Sequence, residues 1–456
     1  MEMDRYEEIL SALFVRFPSV SKEGFSAAAY KPGLDHMRAF DARLGCPAAS
    51  LRTVHVAGTN GKGSVCSMLA SALAARGLRV GLFTSPHLVD FRERIKIIGE
   101  KGFRLIPREE VLAFVDRWGA TFDELSLSFF EITTGLAFDW FAREGVDIAV
   151  IEVGLGGRLD STNILVPELA VVTSIGLDHC AQLGSTRAAI AGEKAGIFKP
   201  GVPALAGERD PETAPVFEAA AAAAPCPLFF AEEMLSLDGP AAAGRPAGRG
   251  LLPSSHPSSS AARITCLLRL SSPHTSQACQ PPLDLRGDYQ YYNLRTVLAA
   301  LELLGVEPDA EALSHTAART GLRGRWETLQ ERPLTICDIG HNPPALRENF
   351  AQLRAMMASG RYDRLAVVYG VMADKALDDI VPLMPRDAEY YFATPATPRA
   401  MPAAEIAARV PFMSHVCGTV AEAVAAARKN ATENTLIYIG GSTFVVSESI
   451  TYFEAL

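Results

Sequence analysis

Short apolar runs rich in β-branched residues alternate with longer helical stretches from Leu51 onward. Residues 52–57, 79–83, 147–153 and 169–174 are strand candidates, and 64–76 reads as an amphipathic stretch between the first two. Strands alternating with helices predict a mostly parallel sheet flanked by helices. The pattern breaks at about 238–282, where Ala, Gly, Pro and Ser dominate and only 263–270 keeps a periodicity. Such a stretch predicts an insertion or long surface loop rather than a site. A helix is expected over about 289–304, after which the alternation restarts with strand candidates at 335–338, 365–369, 390–393 and 435–439. A second, smaller α/β unit is therefore expected to begin near Glu311.

Length supports that division, because 456 residues exceed what a single hydrophobic core usually organises. With 48% hydrophobic and 21% charged residues the chain has the composition of a globular protein. The net charge of −9 disfavours nucleic acid or an anionic membrane as partner, while leaving room for a local basic pocket. Residues 1–17 carry Asp4, Glu7 and Glu8 and lack a basic start followed by an apolar run, so no signal peptide is read there. No apolar run approaches the roughly 18 residues that span a bilayer. The eight cysteines show no metal-ligand spacing, which fits a reducing, cytoplasmic setting.

The candidate chemistry begins at Gly58-Thr59-Asn60-Gly61-Lys62-Gly63-Ser64, between a strand ending at Ala57 and a helix starting near Ser64. Small residues let backbone N–H groups converge on phosphate, the helix N-terminus adds positive potential, and Lys62 supplies a full charge. The usual P-loop pattern is incomplete. Val56 stands at its first glycine, and Gly63 replaces the hydroxyl residue after the lysine, so a magnesium ligand is expected from elsewhere. A glycine-rich turn with no ligand remains the plain alternative.

Five ordered motifs in the first half extend the picture: 55–64, Thr84-Ser85-Pro86-His87, Phe130-Glu131-Ile132-Thr133, the Glu152 to Asp160 run, and Glu193-Lys194-Ala195-Gly196-Ile197. The second half adds Gly324-Arg325-Trp326-Glu327, Asp338-Ile339-Gly340-His341-Asn342-Pro343, 370–375 and Thr397-Pro398-Arg399-Ala400. Together they resemble folylpolyglutamate synthase/dihydrofolate synthase, a branch of the Mur ligase superfamily, over nearly the whole chain outside 238–282. The resemblance implies an α/β fold of two domains. Residues 1–310 would form a P-loop ATPase-like domain with a mostly parallel sheet, and 311–456 a smaller Rossmann-like domain closing over the nucleotide.

The implied reaction is an ATP-dependent ligation. A folate carboxylate is phosphorylated and the amine of L-glutamate attacks the acyl phosphate, releasing ADP and phosphate. By resemblance two Mg2+ ions stabilise the transferring phosphoryl group, with Ser85 and Glu131 on one and His179 on the other, while Lys194 is carbamylated beside them. Asn293, Arg325, Asp338 and His341 match positions that contact the nucleotide. The glycine loop with Gly156, Arg158 and Asp160 would lie beside the pterin or reacting carboxylate, and Arg399 would anchor the glutamate. A monomer is expected. Whether dihydropteroate is also an acceptor, and whether K+ assists, is left open.

Read from the residues alone, several of these have plainer explanations. Glu131 amid Phe129, Phe130 and Ile132 could turn to solvent, since an unpaired buried carboxylate is costly. His179 could be a hydrogen-bonded loop histidine, Lys194 a surface lysine paired with Glu193, Arg325 and Asp338 a surface ion pair, and Arg399 simply solvated. Tyr289-Gln290 stands where the family commonly has His-Gln, and Ala376 follows Lys375 where an acid is common. A peptidoglycan-type Mur ligase is disfavoured because only 57 residues precede Gly58, fewer than another α/β domain usually requires. An NTP-dependent switch without an amide product is the rival from another class.

Overall fold

The computed structural model describes residues 5–17, 31–235, 283–375 and 377–456. The expected insertion at 238–282 and the position of Ala376 lie outside them. The first sheet contains β1 (Thr53–Ala57), β2 (Val80–Phe83), β3 (Ile95–Gly99), β4 (Gly102–Leu105), β5 (Ile148–Glu152), β6 (Leu169–Val172), β7 (Ala204–Ala206) and β8 (Leu228–Phe230). Their order is β4-β3-β2-β5-β1-β6-β7-β8. The six strands from β2 to β8 in that order run parallel, and β3 and β4 extend the edge as an antiparallel hairpin. Every residue of β1, β2, β5 and β6 is buried, as expected of parallel strands covered on both faces.

The 64–76 stretch forms the helix Lys62–Ala74, but it is buried all round rather than amphipathic, with every residue from Gly63 to Ala74 inside. One side lies on β1, β2, β3 and β5, and the other is covered by the helices Gln290–Leu303, Ala310–Ser314 and Thr316–Thr320. Its serines are tolerated because they find partners, as where the Ser71 hydroxyl donates to Ala312 O at 2.7 Å. The opposite face of the sheet carries an aromatic core of Phe40, Phe122, Phe138, Trp140 and Phe141, contributed largely by the helix Phe129–Glu144.

The second sheet contains β9 (Glu327–Glu331), β10 (Leu334–Cys337), β11 (Arg364–Tyr369), β12 (Glu389–Phe392), β13 (Ser414–Val416) and β14 (Thr435–Gly440), in the order β13-β12-β11-β14-β10-β9. All pairs are parallel except β9 with β10. The chain thus has two α/β units with mostly parallel sheets. The helices over 310–320 pack on Lys62–Ala74, so those residues sit with the first sheet although the second unit was expected to begin near Glu311. No helix among the described residues is long and apolar enough to cross a membrane.

Candidate active site

The loop between β1 and the Lys62–Ala74 helix is fixed by its neighbour β6. Thr59 N donates to Ser174 O at 2.8 Å, and the Thr173 hydroxyl donates to Asn60 O at 2.6 Å. Two glycines are required by close approach as well as by positive φ. A Cβ on Gly58 would lie 1.8 Å from Thr173 Oγ1, and one on Gly61 would lie 2.2 Å from Asn293 Oδ1. Gly61 caps the helix, which starts at Lys62, two residues earlier than read from the sequence. The N–H groups of its first turn are left for a ligand, as at other phosphate sites. Lys62 Nζ folds back to Gly58 O at 3.0 Å and Thr59 O at 3.4 Å. Ser64 Oγ accepts from Gln290 Nε2 at 3.2 Å, and Gln290 Oε1 accepts from Asn293 Nδ2 at 2.7 Å.

Around Lys62 the structure gathers Glu152, His179 and Lys194, each of which feels its charge. Glu152 ends β5, and its Oε2 accepts from Ser85 N at 3.1 Å. Burial raises its pKa, against the pull of Lys62, the Ser85 amide and Arg325. Lys194 is buried with Nζ donating to Gly58 O at 2.9 Å, and burial, with Lys62 adding to it, lowers its pKa to about 7. It is not the surface lysine paired with Glu193; that glutamate pairs instead with Arg158, at 2.8 Å. His179 adopts a left-handed backbone, φ 51°, and burial lowers its pKa to about 4, leaving a neutral imidazole able to ligate.

Glu131, expected to share a metal ion with Ser85, is buried rather than turned to solvent. Its Oε2 accepts from Ser128 N at 2.7 Å and the Ser128 hydroxyl at 2.8 Å, completing a capping box at the start of Phe129–Glu144. The carboxylate beside Ser85 is Glu152. In the sequence Glu152 stands within the Glu152 to Asp160 motif without a role of its own. The available signal was an acid closing an apolar parallel strand, at the end of a sheet where ligands bind in such folds.

The second sheet reaches the loop through a polar cluster. Asp178 Oδ1 receives Lys375 Nζ at 2.7 Å, and Oδ2 receives Asn342 Nδ2 at 2.9 Å with His341 Nε2 3.6 Å away. Burial alone would raise the Asp178 pKa, but His341, His179 and Lys375 together hold it well below the usual carboxylate range. Asn342 also exchanges hydrogen bonds with Asn60 at 3.0 and 3.1 Å. Asp178 and Lys375 were not singled out from sequence.

Asp338 is buried and does not pair with Arg325. Its carboxylate accepts from the Tyr289 hydroxyl at 2.6 Å, Trp326 N at 2.9 Å, Gly340 N at 2.7 Å and Asn349 Nδ2 at 2.8 Å. Tyr289, the departure from His, thus bridges the two units. A Cβ on Gly63 would lie 3.4 Å from Arg325 Nη2, which places that guanidinium over the loop.

Asp160 is committed to its own loop, accepting from Leu155 N at 2.8 Å and Thr162 N at 3.0 Å. It shapes the turn in which Gly156 has φ 68° and packs against Leu183. Arg399 is mostly buried and donates to both Asp374 oxygens, at 2.8 and 2.7 Å.

A hard divalent cation prefers oxygen ligands, and Mg2+ typically takes one or two from protein and the rest from phosphate and water. Glu152 with the Ser85 hydroxyl fits that demand. Among the described residues no group of three or more His, Cys, Asp or Glu side chains forms a complete metal centre. Phosphate oxygens would therefore supply part of the coordination.

Comparison with known proteins identifies the family. Residues 56–230 match the model of the Mur ligase middle domain, and residues 324–443 that of the Mur ligase glutamate ligase domain. A dihydrofolate synthase/folylpolyglutamate synthase of Bacillus subtilis is 35% identical, covering 77% of this chain and 78% of the relative. A folylpolyglutamate synthase of Lacticaseibacillus casei is 31% identical, covering 85% of each. Escherichia coli FolC in complex with DHPP and ADP superposes with a TM-score of 0.78 at 29% identity, covering 99% of this chain and 98% of that one. A bifunctional folylpolyglutamate synthase/dihydrofolate synthase with Mn, AMPPNP and L-glutamate bound gives 0.75 at 26% identity, covering 98% of each.

Proposed function

Because the chain belongs to the folylpolyglutamate synthase/dihydrofolate synthase family of Mur ligases, we propose that it adds L-glutamate to the carboxylate of tetrahydrofolate or a folylpolyglutamate at the expense of ATP. Dihydropteroate is proposed as a second acceptor. The observation that carries the reading is the meeting of Lys62, Glu152, His179 and Lys194 at one glycine loop, overlooked by Arg325.

In this mechanism the backbone of 58–64 cradles the triphosphate, and Lys62 leaves its resting carbonyls to meet the β- and γ-phosphates. Arg325 adds a second cation over the loop. The acceptor carboxylate attacks the γ-phosphorus, giving an acyl phosphate and ADP. The glutamate amine then attacks the acyl carbon, and the tetrahedral intermediate expels phosphate and leaves the amide. Two Mg2+ ions are proposed, with Ser85 and Glu152 in place of Glu131 on one and His179 on the other; when bound, they neutralise charge on the phosphoryl oxygens. K+ is a further candidate. Asn293, Asp338 and His341 are proposed to order the nucleotide, Asp338 through the elements it ties together. Gly156, Arg158 and Asp160 shape the acceptor side, and Arg399 is the proposed glutamate anchor.

The proposed division is an ATP-binding domain that takes in the helices up to Thr320 and a second domain after them, about ten residues later than the 310/311 boundary expected from the sequence. A cytoplasmic monomer without nucleic-acid partners is proposed. The free cysteines among the described residues suit a reducing compartment, and the net charge of −9 disfavours polyanions.

Incubation with ATP, L-glutamate and tetrahydrofolate tests the reaction. ADP formation should require both acceptors, and the folate should gain one glutamyl unit by mass. Equal ADP release without either acceptor would instead favour a nucleotide switch.

Carbamylation of Lys194 carries its own pH prediction. With a pKa lowered to about 7, the neutral amine that captures carbon dioxide predominates above that pH and is lost below it. Isotope-labelled bicarbonate should therefore give a carbamate signal that grows through pH 7 and vanishes in Lys194→Met. A signal unchanged in that variant would assign the carbamate to another amine.

A further inference from the structure

Among the described residues no side chain hydrogen-bonds the Arg325 guanidinium, although it lies over the phosphate loop. It donates from Nη1 to Gly324 O at 3.4 Å, and Glu152 attracts it without a hydrogen bond. Its aim is therefore set by the main chain of 324–326. Both neighbours are left-handed, Gly324 at φ 68° and Trp326 at φ 51°. Glycine adopts that conformation freely, whereas a bulky residue keeps it only where the surroundings hold it. Gly324 is pinned within the second unit, its N–H by Glu327 Oε2 at 2.7 Å and its carbonyl by Ile339 N at 3.0 Å.

Trp326 is pinned by Asp338. Its ring is buried 6.0 Å from that of Tyr438, and its N–H donates to Asp338 Oδ2 at 2.9 Å. A carboxylate offers about four acceptor sites. Asp338 fills them: Gly340 N and Asn349 Nδ2 occupy Oδ1, and the Tyr289 hydroxyl joins Trp326 N on Oδ2. Gly340, Asn349 and Trp326 belong to the second unit. Tyr289 does not, because it precedes the helix Gln290–Leu303, which packs on Lys62–Ala74. At neutral pH a phenol keeps its proton, and burial, with Asp338 adding to it, raises the pKa of this one further.

The contacts close a circuit around the loop. Gln290 donates to Ser64 Oγ and Asn293 lies against Gly61, so the start of that helix is registered on the phosphate loop. Tyr289 carries the register to Asp338 and Asp338 carries it to Trp326 N, while the side chain of the preceding residue, Arg325, returns to the loop at Gly63. We propose that Tyr289 is a positioning residue for ATP, its hydroxyl fixing Asp338 and thereby holding the Arg325 guanidinium over the phosphates, an assignment that rests on the nucleotide site of the ligase reading. Without the hydroxyl one acceptor site of a buried carboxylate empties, and the carboxylate is free to turn away from Trp326 N.

The test is equilibrium binding, without turnover, of AMPPNP and of adenosine to the full chain and its variants. Tyr289→Phe should bind AMPPNP about tenfold more weakly than wild type, and adenosine, which has no phosphate, within about twofold of it. In an Arg325→Met background the same Tyr289→Phe change should alter AMPPNP affinity by less than about twofold, because the group being positioned is gone. Tyr289→His keeps a donor on a shorter side chain and should fall between wild type and Tyr289→Phe. An AMPPNP loss of equal size in both backgrounds overturns the proposal, since Tyr289 would then act without Arg325. So does a loss shared by adenosine, an AMPPNP affinity unchanged in Tyr289→Phe, or a failure of both Tyr289 variants to fold, which would make the hydroxyl a structural element. Absence of AMPPNP binding by the wild type would count against the nucleotide site itself, which keeps the two failures distinct.

Discussion

Lys62→Ala is expected to reduce glutamate-dependent ADP formation by about a hundred- to a thousand-fold, the loss typical when one preorganised group facing a charge that develops in the transition state is removed. The reason is geometric. Among the described residues Lys62 rests on the carbonyls of Gly58 and Thr59 and enters no ion pair, so its charge is held at the loop. Its removal costs the fold two hydrogen bonds near the surface of the cleft and leaves the buried helix behind it intact. The melting temperature should therefore move little while turnover collapses. Steady-state assays alongside a thermal melt check both halves, and activity within a few-fold of wild type would remove the lysine from the phosphate site.

The second large effect separates two acids that the sequence makes look alike. Glu152→Gln should cut turnover by at least about a hundred-fold and raise the divalent-cation concentration needed for half-maximal rate, because it removes the hard anionic ligand beside Ser85. Glu131→Gln should leave turnover within about twofold. Its cost should appear as stability, about 1 kcal/mol for a weakened cap, or a few degrees in Tm. Were Glu131→Gln the inactive variant and Glu152→Gln the active one, the capping box would be a secondary role and the ligand assignment reversed.

That pair also shows what was legible in the sequence. Glu131 attracted attention as an acid among phenylalanines, yet the explanation was local: Ser128 three residues earlier completes a capping box. Glu152 closes an apolar run and reads, in sequence, as the strand's polar edge. The buried strands β1, β5 and β6 were plain because residues covered on both faces must be apolar along their length. β9, Glu-Thr-Leu-Gln-Glu, was not, since an antiparallel edge strand mostly half-exposed carries no such constraint. β7, Ala-Leu-Ala, is short and lacks β-branched residues, so only its neighbours make it a strand. The Lys62–Ala74 helix looked amphipathic because its serines read as solvent-facing, and the helices that cover them come from more than 200 residues later in the chain. Contacts between the two sheets, such as Asp178 with Lys375 and Tyr289 with Asp338, join residues too far apart for spacing to reveal.

Ligation by this route requires that a folate carboxylate be phosphorylated before it meets the glutamate amine. Heavy-oxygen labelling of that carboxylate reads the step directly, by mass analysis of the phosphate released. An acyl-phosphate route delivers one labelled oxygen to each phosphate formed with the amide. Phosphate that leaves unlabelled, while amide accumulates at the same rate, would rule out the acyl phosphate.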